Sequence, residues 1–99
     1  MSLTNPQKRH LKGLAHSLKP VVMVGQHGLT DGVFNELEIA LDVHELIKVR
    51  VNAGDREERK EMLVALCEKS GAELVQSIGH IAVLYLKHPK QPKISLPKS

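Results

Sequence analysis

From Thr4 to Leu86 the apolar residues switch repeatedly between helical spacing and short strand-like runs, joined by brief connections rich in Gly, Pro and capping residues. Thr4-Asn5-Pro6 reads as a helix start, and Leu11, Leu14, Ala15 and Leu18 recur at helical spacing until Pro20 stops the helix. Val21 to Val24 is a β-branched run without alternation, which predicts an interior strand covered on both faces. Thr30 then caps a second helix carrying Val33, Leu37, Ala40, Leu41 and His44 on one stripe. In the next strand Ile47, Val49 and Val51 point one way, and Lys48 and Arg50 the other. Asp55 and Glu58 form a capping box for a third helix with Met62, Leu63, Leu66 and Cys67 inward, and Gly71 is placed to end it. Two final strands, 73–78 and 81–86, flank Gly79-His80 as a tight hairpin. The order α-β-α-β-α-β-β predicts an α/β fold: one domain over residues 1–99 with a four-stranded mixed sheet and helices packed on it. Its β-α-β units would pair in parallel through right-handed crossovers, and the hairpin would pair antiparallel.

Charge is segregated along this frame. Residues 1–30 carry Lys8, Arg9, Lys12 and Lys19 and no acid, for a net +4, and residues 74–99 carry Lys87, Lys90, Lys93 and Lys98 and no acid, also +4. All 11 acids lie between Asp31 and Glu73, where the net charge is −5. On the first helix Lys8, Lys12, His16 and Lys19, with Arg9 at the edge, fall opposite the apolar stripe. The expectation is that the two basic ends lie together and form one surface for a polyanion, with Lys48 and Arg50 extending it. After residue 88 the prolines and lysines read as an extended basic tail.

Several chemistries are excluded by what is missing. With one Phe, one Tyr and no Trp, recognition by stacked aromatics is nearly ruled out. The six His residues form no pair at metal-binding spacing, and no nucleophile elbow or paired-carboxylate pattern is present, so neither a metal, a cofactor nor an enzyme is expected. The single Cys, Cys67, sits in an apolar run and reads as a small buried hydrophobe. The longest apolar stretch, Ile81 to Leu86, is far too short for a bilayer, and no signal-like segment precedes the domain, so the reading is cytoplasmic and not membrane-bound.

One loop keeps a chemical role. Gly25-Gln26-His27-Gly28 follows a strand and precedes a helix, the geometry in which backbone N–H groups and a helix N-terminus face a phosphate. It lacks the G-K-[ST] ending of a nucleotide-hydrolysing loop and the G-x-G-x-x-G of a dinucleotide fold. G-x-x-G loops of the KH kind grip the sugar-phosphate backbone without aromatics, which suits this composition. Gln26 and His27 are not cationic, so such a loop would act through its amides, with His27 adding a hydrogen bond or a stacking face.

The segments His10 to His16, Leu18 to Val22, Gly25 to Thr30, His44 to Val49 and Lys93 to Pro97 together resemble a bacterial stand-alone CRM domain, of the chloroplast RNA splicing and ribosome maturation family. The resemblance covers nearly the whole chain. It implies an RNA-binding module with a fold similar to the C-terminal domain of translation initiation factor three, its RNA-contacting loop falling on Gly25, Gln26, His27 and Gly28. It further implies association with ribosomal RNA in precursors of the large ribosomal subunit, since stand-alone members act there, while plant relatives act in group II intron splicing. A monomer is expected, because the scattered charge gives no sign of a large self-complementary patch. Two other readings stay open: an adaptor whose acidic middle docks on a basic ribosomal protein, and a binder of free nucleotide.

Overall fold

The computed structural model describes residues 3–98; Met1, Ser2 and Ser99, the outermost residues of the domain read over 1–99, lie outside the described residues. Seven elements follow in the expected order: α1 (Asn5–Ala15), β1 (Pro20–Val24), α2 (Asp31–His44), β2 (Leu46–Val51), α3 (Arg56–Ser70), β3 (Glu73–Ile78) and β4 (Ile81–Tyr85). The sheet order is β1-β2-β4-β3, with β1 and β2 parallel and the other pairs antiparallel. The helix starts form as their capping residues dictate. Thr4 and Gln7 make a reciprocal capping box on α1, Thr30 accepts from the Val33 N–H on α2, and Asp55 with Glu58 closes a second box on α3. Gly71 ends α3 at φ +81°, a left-handed conformation that suits glycine.

The sheet has a core on each face. Val22 and Val24 of β1, Ile47, Val49 and Val51 of β2, and Ala82 and Leu84 of β4 pack against Leu37 and Leu41 of α2 and Leu63 and Leu66 of α3. On the other face Leu46, Val83, Tyr85 and Val75 pack under Leu11 and Ala15 of α1, with Ile94 and Leu96 of the C-terminal segment beside them. Leu11 is fully buried, which contributes roughly 2 kcal/mol.

Three expectations need correction. β1 is an edge strand, not an interior one, and Val21 and Met23 are 50% and 58% exposed. Its β-branched run sets strand propensity, but α1 covers β2, β4 and β3 and leaves the outer face of β1 open. Second, α1 ends at Ala15 rather than running on to Leu18, so Leu18 is exposed and Lys19 lies in the linker, and Leu14 within the helix is exposed as well. Gly13 weakens the last turn, and Pro20 both removes a donor and pushes Lys19 out of the helical region. Third, Cys67 is half-buried rather than enclosed.

The C-terminal segment forms no helix or strand over residues 86–98, and it is pinned. Glu45, between α2 and β2, has no exposed surface and a φ of +62°. Its carboxylate accepts the backbone N–H groups of His88, Lys93 and Ile94, and its own carbonyl accepts the Leu86 N–H. The His88 ring lies 3.0 Å from the Asp42 carboxylate, the Lys93 ammonium donates to the Val43 carbonyl, and Gln7 donates to the Pro97 carbonyl at 2.9 Å. Burial alone would raise the Glu45 pKa; the three N–H donors and nearby His88 outweigh it and hold the carboxyl below its ordinary value. A depressed carboxylate stabilises the fold above its unfolded pKa of about 4.3 and loses that contribution as pH falls through the lower folded value. Amide exchange at Ile94 is therefore expected to stay slow from pH 7 to 5, once corrected for intrinsic rates, and to accelerate below about pH 4. Protection unchanged down to acid unfolding of the whole domain would contradict this.

Candidate nucleic-acid interface

The glycine loop is a tight turn at the C-terminal end of β1. The Gly28 N–H donates to the Gly25 carbonyl at 3.0 Å, which puts Gln26 and His27 at the exposed tip, and Leu29 then enters the core beneath α2. The N–H groups of Gln26 and His27 have no partner among the described residues. The two glycines differ. Gly28 adopts φ +70°, where a side chain would be strained. Gly25 has no such φ, and a Cβ there would meet nothing within 4 Å. Nothing inside the protein demands a glycine at Gly25, whereas a partner approaching the main chain would. Asp31 stands in the first turn of α2, so an anion is better served by the loop amides than on the helix axis.

Around this loop the basic side chains divide into two groups. Arg50 is exposed on the face of β2 opposite Ile47, Val49 and Val51, and it pairs in register with Met23, two residues before Gly25. That places Arg50 one strand over and about 7 Å along from the loop. Lys48, half-buried, lies a step further down, opposite Pro20. Lys19 precedes β1 and stands at the end away from the loop, on the order of 20 Å from Gly25. On α1, Arg9 and Lys12 are exposed and Lys8 is half-buried. The loop and Arg50 form one part of the site, and the α1 stripe with Lys19 a separate part.

The same face unites the two acid-free chain ends. α1 and the C-terminal segment share one core cluster through Ile94 and Leu96, so the end of the segment lies beside the helix that carries Lys8, Arg9 and Lys12, whereas Lys87 lines a groove with Glu38 and Asp42 of α2 and the Lys93 ammonium donates to the Val43 carbonyl. Most of the acids ride on α2 and α3, on the other side of the sheet. Among the described residues no Lys or Arg comes within 4.0 Å of a carboxylate, and the single ion pair is His88 with Asp42. The basic face is thus unneutralised from within. No cluster of three metal-ligating side chains occurs among the described residues.

Glu45 was not singled out by sequence reasoning. The only trace of its role is an acid placed between a helix end and an apolar strand, where a charge needs a partner. It anchors the C-terminal segment whose Ile94 and Leu96 pack on the α1 side of the sheet.

Comparisons with known proteins show the family and the fold. The chain is 50% identical over 93 residues to a probable RNA-binding protein of Pseudomonas aeruginosa, covering 94% of this chain and 89% of that one. It is 50% identical over 97 residues to an RNA-binding protein of Haemophilus influenzae, covering 98% and 97%. The solution structure of a hypothetical protein from Staphylococcus aureus, put forward as an RNA binder, superposes with a TM-score of 0.83 at 35% identity, covering 97% of this chain and all of that one. The family model of the CRS1/YhbY (CRM) domain matches residues 3–85, from the start of the α1 core to the last residue of β4, and the chain belongs to that family.

Proposed function

We propose that this protein binds RNA through its basic face and the Gly25–Gly28 loop, and that it does so in the cytoplasm on precursors of the large ribosomal subunit, assisting their assembly without catalysis. The observation that carries the reading is the set of α1 cations with no carboxylate within 4.0 Å, on the sheet face that the C-terminal segment also reaches, with an open-amide turn at one end of the same sheet. The names of the relatives support the RNA part. The loop takes backbone phosphate through main-chain N–H groups, Arg50 sits beside it, and the α1 stripe and tail lysines supply counter-charge further along the strand. Selection then follows RNA shape more than base identity.

Two experiments test this. The purified chain mixed with protein-free large-subunit ribosomal RNA is expected to bind with a steep salt dependence, and in sedimented cell extracts it is expected to travel with immature large subunits. Failure on naked RNA, with retention on the particle, would favour the adaptor reading. Replacing Lys8, Lys12 and Lys19 by Gln is expected to flatten the log affinity against log salt slope by roughly 0.7 per lost single-strand phosphate contact. A slope equal to that of the unaltered protein would show those side chains to be only solvated.

A further inference from the structure

A groove of about 810 Å³ opens on the opposite side of the sheet, between α3 and the β3–β4 hairpin. Its α3 wall has Arg56, Arg59 and Lys60 with Glu57 at one end and Glu68 at the other. Arg56 and Lys60 stand at the start of the helix, Val64 follows one turn on, and Glu68 closes the row, each four residues from the last and therefore on one stripe. Leu63 and Cys67 deepen the apolar middle, and Leu74 of β3 faces it from across the groove. Val64 and Leu74 are 51% and 39% exposed, so this apolar strip is uncovered.

We propose that this groove docks an amphipathic helix of a protein partner, acidic where it meets Arg56 and Lys60, apolar over Val64 and Leu74, and basic where it meets Glu68. Neither cation has a carboxylate within 4.0 Å among the described residues, so both are available to an incoming acid. Nucleic acid is the poorer occupant. Glu57 lines the groove beside Arg56, Arg59 and Lys60, Glu68 lies at its far end, and the 31–73 stretch as a whole is −5, so a polyanion gains little here. An apolar strip with charges of opposite sign at its two ends matches a helix laid into a groove, the apolar residues supplying affinity and the charges orientation. The site lies on the sheet face opposite α1, and it does not depend on the RNA reading.

The test is an amide-shift titration of the full chain with two synthetic helical peptides of 14 residues, both with leucines at i, i+3, i+4 and i+7. One has Glu in its first turn and Lys in its last, which also suits its own dipole, and the other has Lys at both ends. The first is expected to bind at least tenfold tighter and to shift the amides of Val64, Cys67, Leu74 and Ser77. Arg56→Glu with Lys60→Glu is expected to remove that preference, and Val64→Glu to abolish binding; all three positions are on the exposed surface, and shifts elsewhere report that the fold is intact. Equal binding of both peptides, no binding of either, shifts centred on α1, or a single-stranded RNA oligomer that moves the same groove amides would overturn the proposal.

Discussion

Replacing Glu45 by Ala is expected to lower the stability of the domain by about 3 kcal/mol and to detach residues 88–97 from the sheet. The carboxylate takes three main-chain N–H groups in a site with no exposure to water, and losing it strands those donors at roughly 1–3 kcal/mol each unless the segment lifts away to solvent. Lifting away is the cheaper outcome, which caps the loss. It removes Ile94 and Leu96 from the core cluster beneath α1, so the cost has an apolar part as well. Glu45→Gln keeps the shape but offers an NH₂ group where an oxygen accepted, and should fall between the two. Chemical denaturation measures the stability, and rapid exchange at Lys93 and Ile94 marks the release. A functional consequence follows: Lys98, next to the Pro97 carbonyl that Gln7 of α1 holds, leaves the basic face as a fixed charge, so RNA affinity should drop and its salt dependence weaken. If Glu45→Ala matched the parent in both stability and exchange, the segment would be held by its other contacts, the apolar Ile94 and Leu96 and the Gln7, Asp42 and Val43 partners, and not by the carboxylate.

This anchor also marks how far the fold could be read from residues. Element order, the three helix caps, the Gly71 stop, the hairpin at Gly79-His80 and the two-faced character of β2 rest on local chemistry, and local chemistry is written in neighbouring residues. The position of β1 is not local. Val21 and Met23 look as buried as Val22 and Val24 until the strand order puts them at the edge, beyond the reach of α1. Glu45 and Ile94 are 49 residues apart, and no periodicity joins them. The charge segregation was legible, but the meeting of the two basic ends on one face depends on that contact. Within the candidate site, the Gly25–Gly28 loop stood out in the sequence, whereas the distance that separates it from Lys19 came only from the run of β1 between them.

The loop itself is expected to show the largest effect on binding. Gln26→Glu with His27→Glu should reduce RNA affinity about 100-fold while leaving the fold unchanged. Both side chains sit at the exposed tip and hold nothing in place, since the turn is closed by main chain and α2 is capped by Thr30. Two negative charges set about 4 Å from a phosphate cost between about 1 kcal/mol each in water and about 4 kcal/mol each near a protein surface. Even the weaker limit, with the loss of an amide contact, approaches the roughly 2.8 kcal/mol that corresponds to 100-fold. The two glycines separate fold from function more sharply. Gly28→Ala forces a side chain onto φ +70° and should destabilise the turn by roughly 1–2 kcal/mol. Gly25→Ala meets no atom within 4 Å and no such φ, so it should leave stability unchanged, and any loss of RNA affinity must come from a methyl group standing between the main chain and the partner. RNA affinity preserved in both the double-acid variant and Gly25→Ala, with folding intact, would move the site off the loop and onto the basic layer alone.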